Sequence, residues 1–109
     1  MTVQELINQQ MDHFIGKLIA KNQISVEKVI EVATHTGAYL IRNRHIQNKG
    51  ISEDEIKLVL QSLVDFMNHN FENQFNQEDF ILIKDKTLTL LKNPGFDQEI
   101  QEYFKQFYQ

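Results

Sequence analysis

The sequence predicts an all-α fold: an irregular bundle of four main helices with a short amphipathic helix at the C-terminus. Three observations carry that prediction. First, an apolar residue, a capping side chain and a second apolar residue recur at the spacing of a stapled helix start, in Ile24-Ser25…Val29, Ile51-Ser52…Ile56 and Phe75-Asn76…Phe80. Second, the segments that these starts open carry apolar residues three and four apart. Third, no stretch combines strand-like alternation with hairpin turn chemistry.

The first helix is expected from about Thr2 to Ala20. Thr2 and Glu5 have the spacing of a capping box, and Val3, Ile7, Met11, Phe14, Ile15 and Leu18 form one stripe. The second begins after Ser25, with Val26, Val29, Ile30, Ala33, Gly37, Leu40 and Ile41 on one face. Gly50 is expected to close it, with Arg42, Arg44 and Lys49 near the negative helix end.

The third helix begins at Ser52, the strongest cap of the set because Glu55 completes a capping box. Its stripe is Ile56, Val59, Leu60, Leu63, Phe66, Met67 and Phe71, and the amide-rich stretch from Asn68 to Asn76 reads as fraying helix, then turn. The fourth starts after Asn76. Phe80, Ile83, Thr87, Leu90 and Leu91 make one face, and Ile81 and Leu88 point the opposite way. A helix apolar on both sides belongs at the centre of the bundle or in a dimer seam. Asn93-Pro94-Gly95 is a turn signal. A last helix follows Asp97, with Phe96, Ile100, Tyr103, Phe104, Phe107 and Tyr108 on one arc.

A length of 109 residues predicts a single domain over 1–109, long enough for one core without a staple. Hydrophobic residues at 41% and charged residues at 24% are those of a folded chain rather than a disordered one. The absence of cysteine excludes disulfides, thiolate metal sites and cysteine nucleophiles. The N-terminal MTVQELINQQMDHF lacks the basic and apolar regions of a signal peptide, and no apolar stretch approaches the roughly 18 residues of a membrane span. A cytoplasmic protein with no membrane contact is expected.

The net charge of −4 hides an asymmetry: residues 1–50 carry four acids and six bases, the remainder eleven acids and five bases. Such a dipole steers a partner or lets two copies pair head to tail.

Four constellations of side chains bear on chemistry. Glu31 with His35 and Asp65 with His69 stand four apart. Di-iron bundles use Glu and His three apart and facing inward, whereas these pairs fall opposite the apolar stripes, so exposed helix pairs are expected and no metal site. Arg42, Arg44, His45 and Lys49 form a basic cluster that either binds an anionic partner or complements the helix end and the acids Glu53, Asp54 and Glu55. Ala33 and Gly37 have the spacing of a helix-turn-helix turn, with Arg42, Arg44 and His45 on the following helix; Asn43 departs from it where an apolar residue is expected. Small residues four apart also simply let helices pack closely. The aromatic last helix either covers its own core or docks into a partner's groove.

Two of the three serines, Ser25 and Ser52, are cap candidates, and no nucleophile elbow, P-loop or dinucleotide fingerprint occurs. No catalytic residue and no cofactor are expected. The expectation is a non-enzymatic regulatory or adaptor protein that binds another protein, as a homodimer. Bacterial immunity proteins and toxin antagonists share this size class. Its expected contact residues are Arg42, Arg44, His45, Lys49, Ile81, Leu88, Phe96, Ile100, Tyr103, Phe104 and Phe107. The alternative is a small helix-turn-helix DNA-binding transcriptional regulator.

Overall fold

The computed structural model describes residues 2–44 and 53–108. These form α1 (Val3–Ala20), α2 (Val26–Arg44), α3 (Glu53–Asn70), α4 (Gln77–Leu91) and α5 (Phe96–Lys105), then a 3-10 turn over Gln106–Tyr108. There is no strand among the described residues, and the all-α bundle is as the sequence predicts.

The helix starts among the described residues follow the capping chemistry. Thr2 Oγ1 accepts from Glu5 N at 3.1 Å, but the Glu5 carboxylate takes the Thr2 hydroxyl instead of a backbone N–H. Ser25 Oγ accepts from Lys28 N at 3.1 Å. The reciprocal box belongs to Asn76 and Asp79: Asp79 N donates to Asn76 Oδ1 at 3.0 Å, and Asn76 N donates to Asp79 Oδ2 at 2.9 Å. Ser52 and Gly50 lie outside the described residues. Between α1 and α2, Asn22 adopts a φ of 55°, and Gln23 N reaches back to Leu18 O at 2.8 Å. Asparagine here takes the left-handed position that commonly falls to glycine after a helix.

The expected stripes of α1 and α3 are inside. Ile7, Met11, Val59 and Met67 are fully buried, and Leu63 nearly so. Of the two places expected for the fourth helix, the centre of the bundle or a dimer seam, the first is not the one it takes. The central helix is α2, which packs against α1, α3, α4 and α5. Val32, Thr34, Thr36 and Ala38 are buried along with its predicted stripe from Val29 to Ile41, while Val26, the first residue of that stripe, is exposed. By contrast, Ile81 and Leu82 of α4 are exposed. Small and hydroxyl side chains made α2 look one-sided in the sequence, yet those same side chains let neighbours close in on every side.

Gly37 marks the tightest approach. A Cβ there would lie 2.8 Å from Leu63 Cδ1, 3.8 Å from Val59 Cγ1 and 3.9 Å from Thr87 Cγ2, so α3 and α4 both converge on it. The helix runs unbroken across Ala33 and Gly37. The helix-turn-helix spacing therefore has no turn, and the small pair serves close packing.

The last helix folds back on its own chain. Phe96 and Ile100 cluster with Ala38 and Leu90, and Phe107 joins the main core. Burying each such side chain contributes about 1.5–3 kcal/mol. Phe104 stacks on Phe14 with ring centroids 4.7 Å apart. Lys17 Nζ donates to Phe107 O at 2.6 Å and Lys21 Nζ to Gln106 O at 3.0 Å, which places two cations at the negative end of α5.

Candidate functional site

Helices α3 and α4 both rest on α2 and make little contact with each other. The gap between them is a groove of 690 Å³. Leu58, Leu60, Val64, Phe80 and Ile81 give it an apolar lining, and Asp54, Lys57 and Lys84 also line it. Leu58 is 47% exposed and Ile81 50%. Neither lysine lies within 4 Å of an acid among the described residues. A lone exposed leucine is ordinary on any surface, whereas a continuous apolar groove beside unpaired charges has the character of a docking surface.

The expected contact residues divide sharply. Ile81 lines this groove, while Leu88 is half-buried and does not. Phe96, Ile100 and Phe107 are buried within the chain's own core. Tyr103 and Phe104 are half-buried against His35 and Phe14. Arg42 is exposed, with its guanidinium 5.1 Å from the centroid of the Phe96 ring, so this member of the basic cluster lies against α5. The Arg44 side chain, His45 and Lys49 fall outside the described residues.

Sequence reasoning missed Leu58, Val64, Lys57 and Lys84. A signal for the first existed: Leu58 stands off the α3 stripe as Ile81 stands off the α4 stripe, and these two helices are neighbours along the chain.

A second groove, of 550 Å³, lies between α2, α4 and the start of α5. Thr34, His35, Asp85, Lys86, Leu90 and Glu99 are among its lining residues. His35 corrects the expectation of an exposed pair with Glu31. Its ring is half-buried and stacks on Tyr103, centroids 3.6 Å apart and planes 7° from parallel. His35 Nδ1 lies 2.7 Å from Glu31 O and donates to it, while the Glu31 carboxylate pairs instead with Lys28 at 3.8 Å. The predicted polar face of α2 is covered by α5 because α2 is central. Burial pushes the His35 pKa below its ordinary 6.5, against the opposing pull of the Glu31 hydrogen bond and of the Glu99 and Glu31 charges. Burial also raises the Tyr103 pKa, helped by the Glu31 charge. Each ring thus favours its neutral form.

Asp65 and His69 are exposed, as expected, and share a polar groove between α1 and α3 with Asp12. Asp65 accepts from Gln61 Nε2 at 3.0 Å. Among the described residues, no three His, Asp or Glu side chains are placed to hold a metal ion. No helix among them is long and apolar enough to cross a membrane.

Comparison with protein-family models, with curated proteins and with solved structures finds no match for this chain. What the fold and its surface define is a small all-α bundle with an open apolar groove between two neighbouring helices.

Proposed function

We propose that this protein is a non-enzymatic regulatory or adaptor module of the cytoplasm that acts by binding protein, and that it works as a homodimer joined through the α3–α4 groove. The observation that carries this reading is the pairing of Leu58 and Ile81, about half exposed on facing sides of one groove. The charges beside the groove favour a second copy as its occupant. A patch that carries both signs can pair with its own copy, and Asp54 stands there with Lys57 and Lys84.

The size of the surface sets the strength. Helices of 18 and 15 residues lying side by side offer roughly 25 by 20 Å, or about 500 Å² per copy. Two copies then bury about 1,000 Å², the lower bound for a specific interface. A dimer that forms at micromolar concentration is the expectation.

Sedimentation velocity over a concentration series tests it. The wild-type chain should shift from the 12.9 kDa species to twice that mass. Ile81→Lys should hold it at the monomer, because it replaces an apolar contact at the seam with a charge that must lose its water and raises the lysine excess of a patch holding Lys57 and Lys84 against Asp54. A wild-type chain that stays monomeric at high micromolar concentration overturns the homodimer. A dimer unmoved by Ile81→Lys and by Leu58→Lys overturns the groove as its seam.

A further inference from the structure

The C-terminal helix carries a feature that the docking groove does not use. Its last turn rests on a histidine. The ring of His35, on α2, stacks face to face on Tyr103 of α5, and Phe104 meets the same ring edge-on with centroids 6.4 Å apart. From this geometry we propose that His35 makes α5 a pH-sensitive clasp: protonation of the ring loosens the helix from α2, while the neutral ring holds it shut.

Three features of the site support the direction. The ring is half-buried with one face against Tyr103, so a charge placed there loses water on that face. Nδ1 already gives its proton to Glu31 O. The second proton must then go to Nε2, which meets no protein acceptor among the described residues.

The surrounding charges are few and oppose one another. Glu99 on α5 and Glu31 on α2 favour the protonated ring, and Lys86 on α4 opposes it. Asp85 of α4 and Lys92 at the end of that helix line the same groove. No charge from α1 or α3 acts on the ring among the described residues. Glu99, the counter-ion on the moving helix, is engaged by the Asn93 side chain amide. Burial outweighs these attractions, and the ring favours its neutral state.

The tail is also held by the burial of Phe96, Ile100 and Phe107, by the Phe14–Phe104 stack and by the Lys17 and Lys21 bonds to the last carbonyls. Loosening at His35 frees Tyr103 and Phe104, and with them the aromatic arc that the closed helix holds against α1 and α2. The clasp is independent of the α3–α4 groove, which lies on other helix faces and contains no histidine.

Hydrogen exchange of backbone amides by NMR, corrected for the intrinsic rate, reads the clasp directly between about pH 7.5 and about pH 5. On acidification the protection of Phe96–Lys105 should fall severalfold while α1 and α3 keep theirs. The fall should follow the titration of the His35 ring. His35→Phe keeps a flat ring against Tyr103 and cannot take a proton, so its α5 protection should not change with pH. His13 also lies near the tail, with its ring 5.1 Å from Phe14 and 6.1 Å from Tyr108. His13→Gln should leave the fall in place.

The proposal is overturned by flat α5 protection in the wild type, by an equal fall in His35→Phe, or by loss of the response in His13→Gln. Should His35→Phe not fold, the wild type decides alone: a ring titration that does not coincide with the loss of α5 protection refutes the clasp. Ile81→Lys in the same assay should keep the pH response, so failure of the dimer and failure of the clasp are read separately.

Discussion

Gly37→Ala tests the packing at the centre of the bundle. The new methyl would lie 2.8 Å from Leu63 Cδ1, closer than carbon atoms approach without one of them moving. Two effects oppose each other. Alanine in a helix interior is better than glycine by about 1 kcal/mol. Overpacking a closed site costs about 1–3 kcal/mol. Leu63 decides the balance. It is 1% exposed, and the fully buried Val59 and Thr87 stand beside the same point, so its end has little free space to turn into. Overpacking should win, for a net loss of up to about 2 kcal/mol.

Leu63→Ala alone should cost about 2–5 kcal/mol through the cavity it leaves. The double variant separates the causes. With Leu63 Cδ1 removed, the Gly37 methyl enters the cavity instead of a clash, and the combined loss should fall short of the sum by about 1–3 kcal/mol. Urea unfolding followed by far-ultraviolet circular dichroism measures all three variants, with unchanged m-values as the check on two-state behaviour. A stabilised Gly37→Ala that adds simply to Leu63→Ala would show that α2 and α3 do not meet at this glycine, and the account of the core would fail.

Other outcomes follow from single contacts. Asn76→Ala removes the reciprocal cap of α4 and should cost about 0.5–2 kcal/mol in the same unfolding assay; no change would mean that the cap is dispensable. Lys17→Met keeps the stem and removes the donor to Phe107 O, so it should destabilise by about 0.5–1.5 kcal/mol and raise exchange first at the chain's C-terminal turn. Ile81→Lys should leave monomer stability within about 0.5 kcal/mol, since its site is surface; a larger loss would place Ile81 in the fold rather than at an interface. For pH, His35 has its pKa lowered on folding, so its contribution is present above 6.5 and is lost as pH falls from there through the folded value. Unfolding midpoints should therefore drop more steeply below 6.5 in the wild type than in His35→Phe; parallel curves would contradict that sign.

Much of the fold was legible because local chemistry and core packing point the same way. Val3, Ile7, Met11, Phe14, Ile15 and Leu18 are read as one stripe and all lie inside. Helix α4 opens after Asn76 because that side chain meets the backbone three residues on, a contact within reach of any sequence reader. The contact residues were harder. Phe96, Ile100 and Phe107 are what a docking helix would show and also what a lid would show, since the same amphipathic arc serves either use. Whether such an arc closes on its own chain depends on distant partners: Ala38 and Leu90 for Phe96 and Ile100, Phe14 for Phe104. His35 was misplaced for the same reason. A helical wheel assumes one wet side, and α2 is covered by α5 on the side where His35 stands.

The residues by themselves determined that this chain forms capped amphipathic helices, because caps and stripes act over three to seven positions and need no knowledge of the rest of the molecule. Only the tertiary structure decided that α2 is the centre, that the aromatic tail lies on its own bundle, and that Leu58 and Ile81 share one groove. Those outcomes depend on how closely backbones approach at Gly37 and on contacts between residues far apart in the chain, and neither is written in any local window.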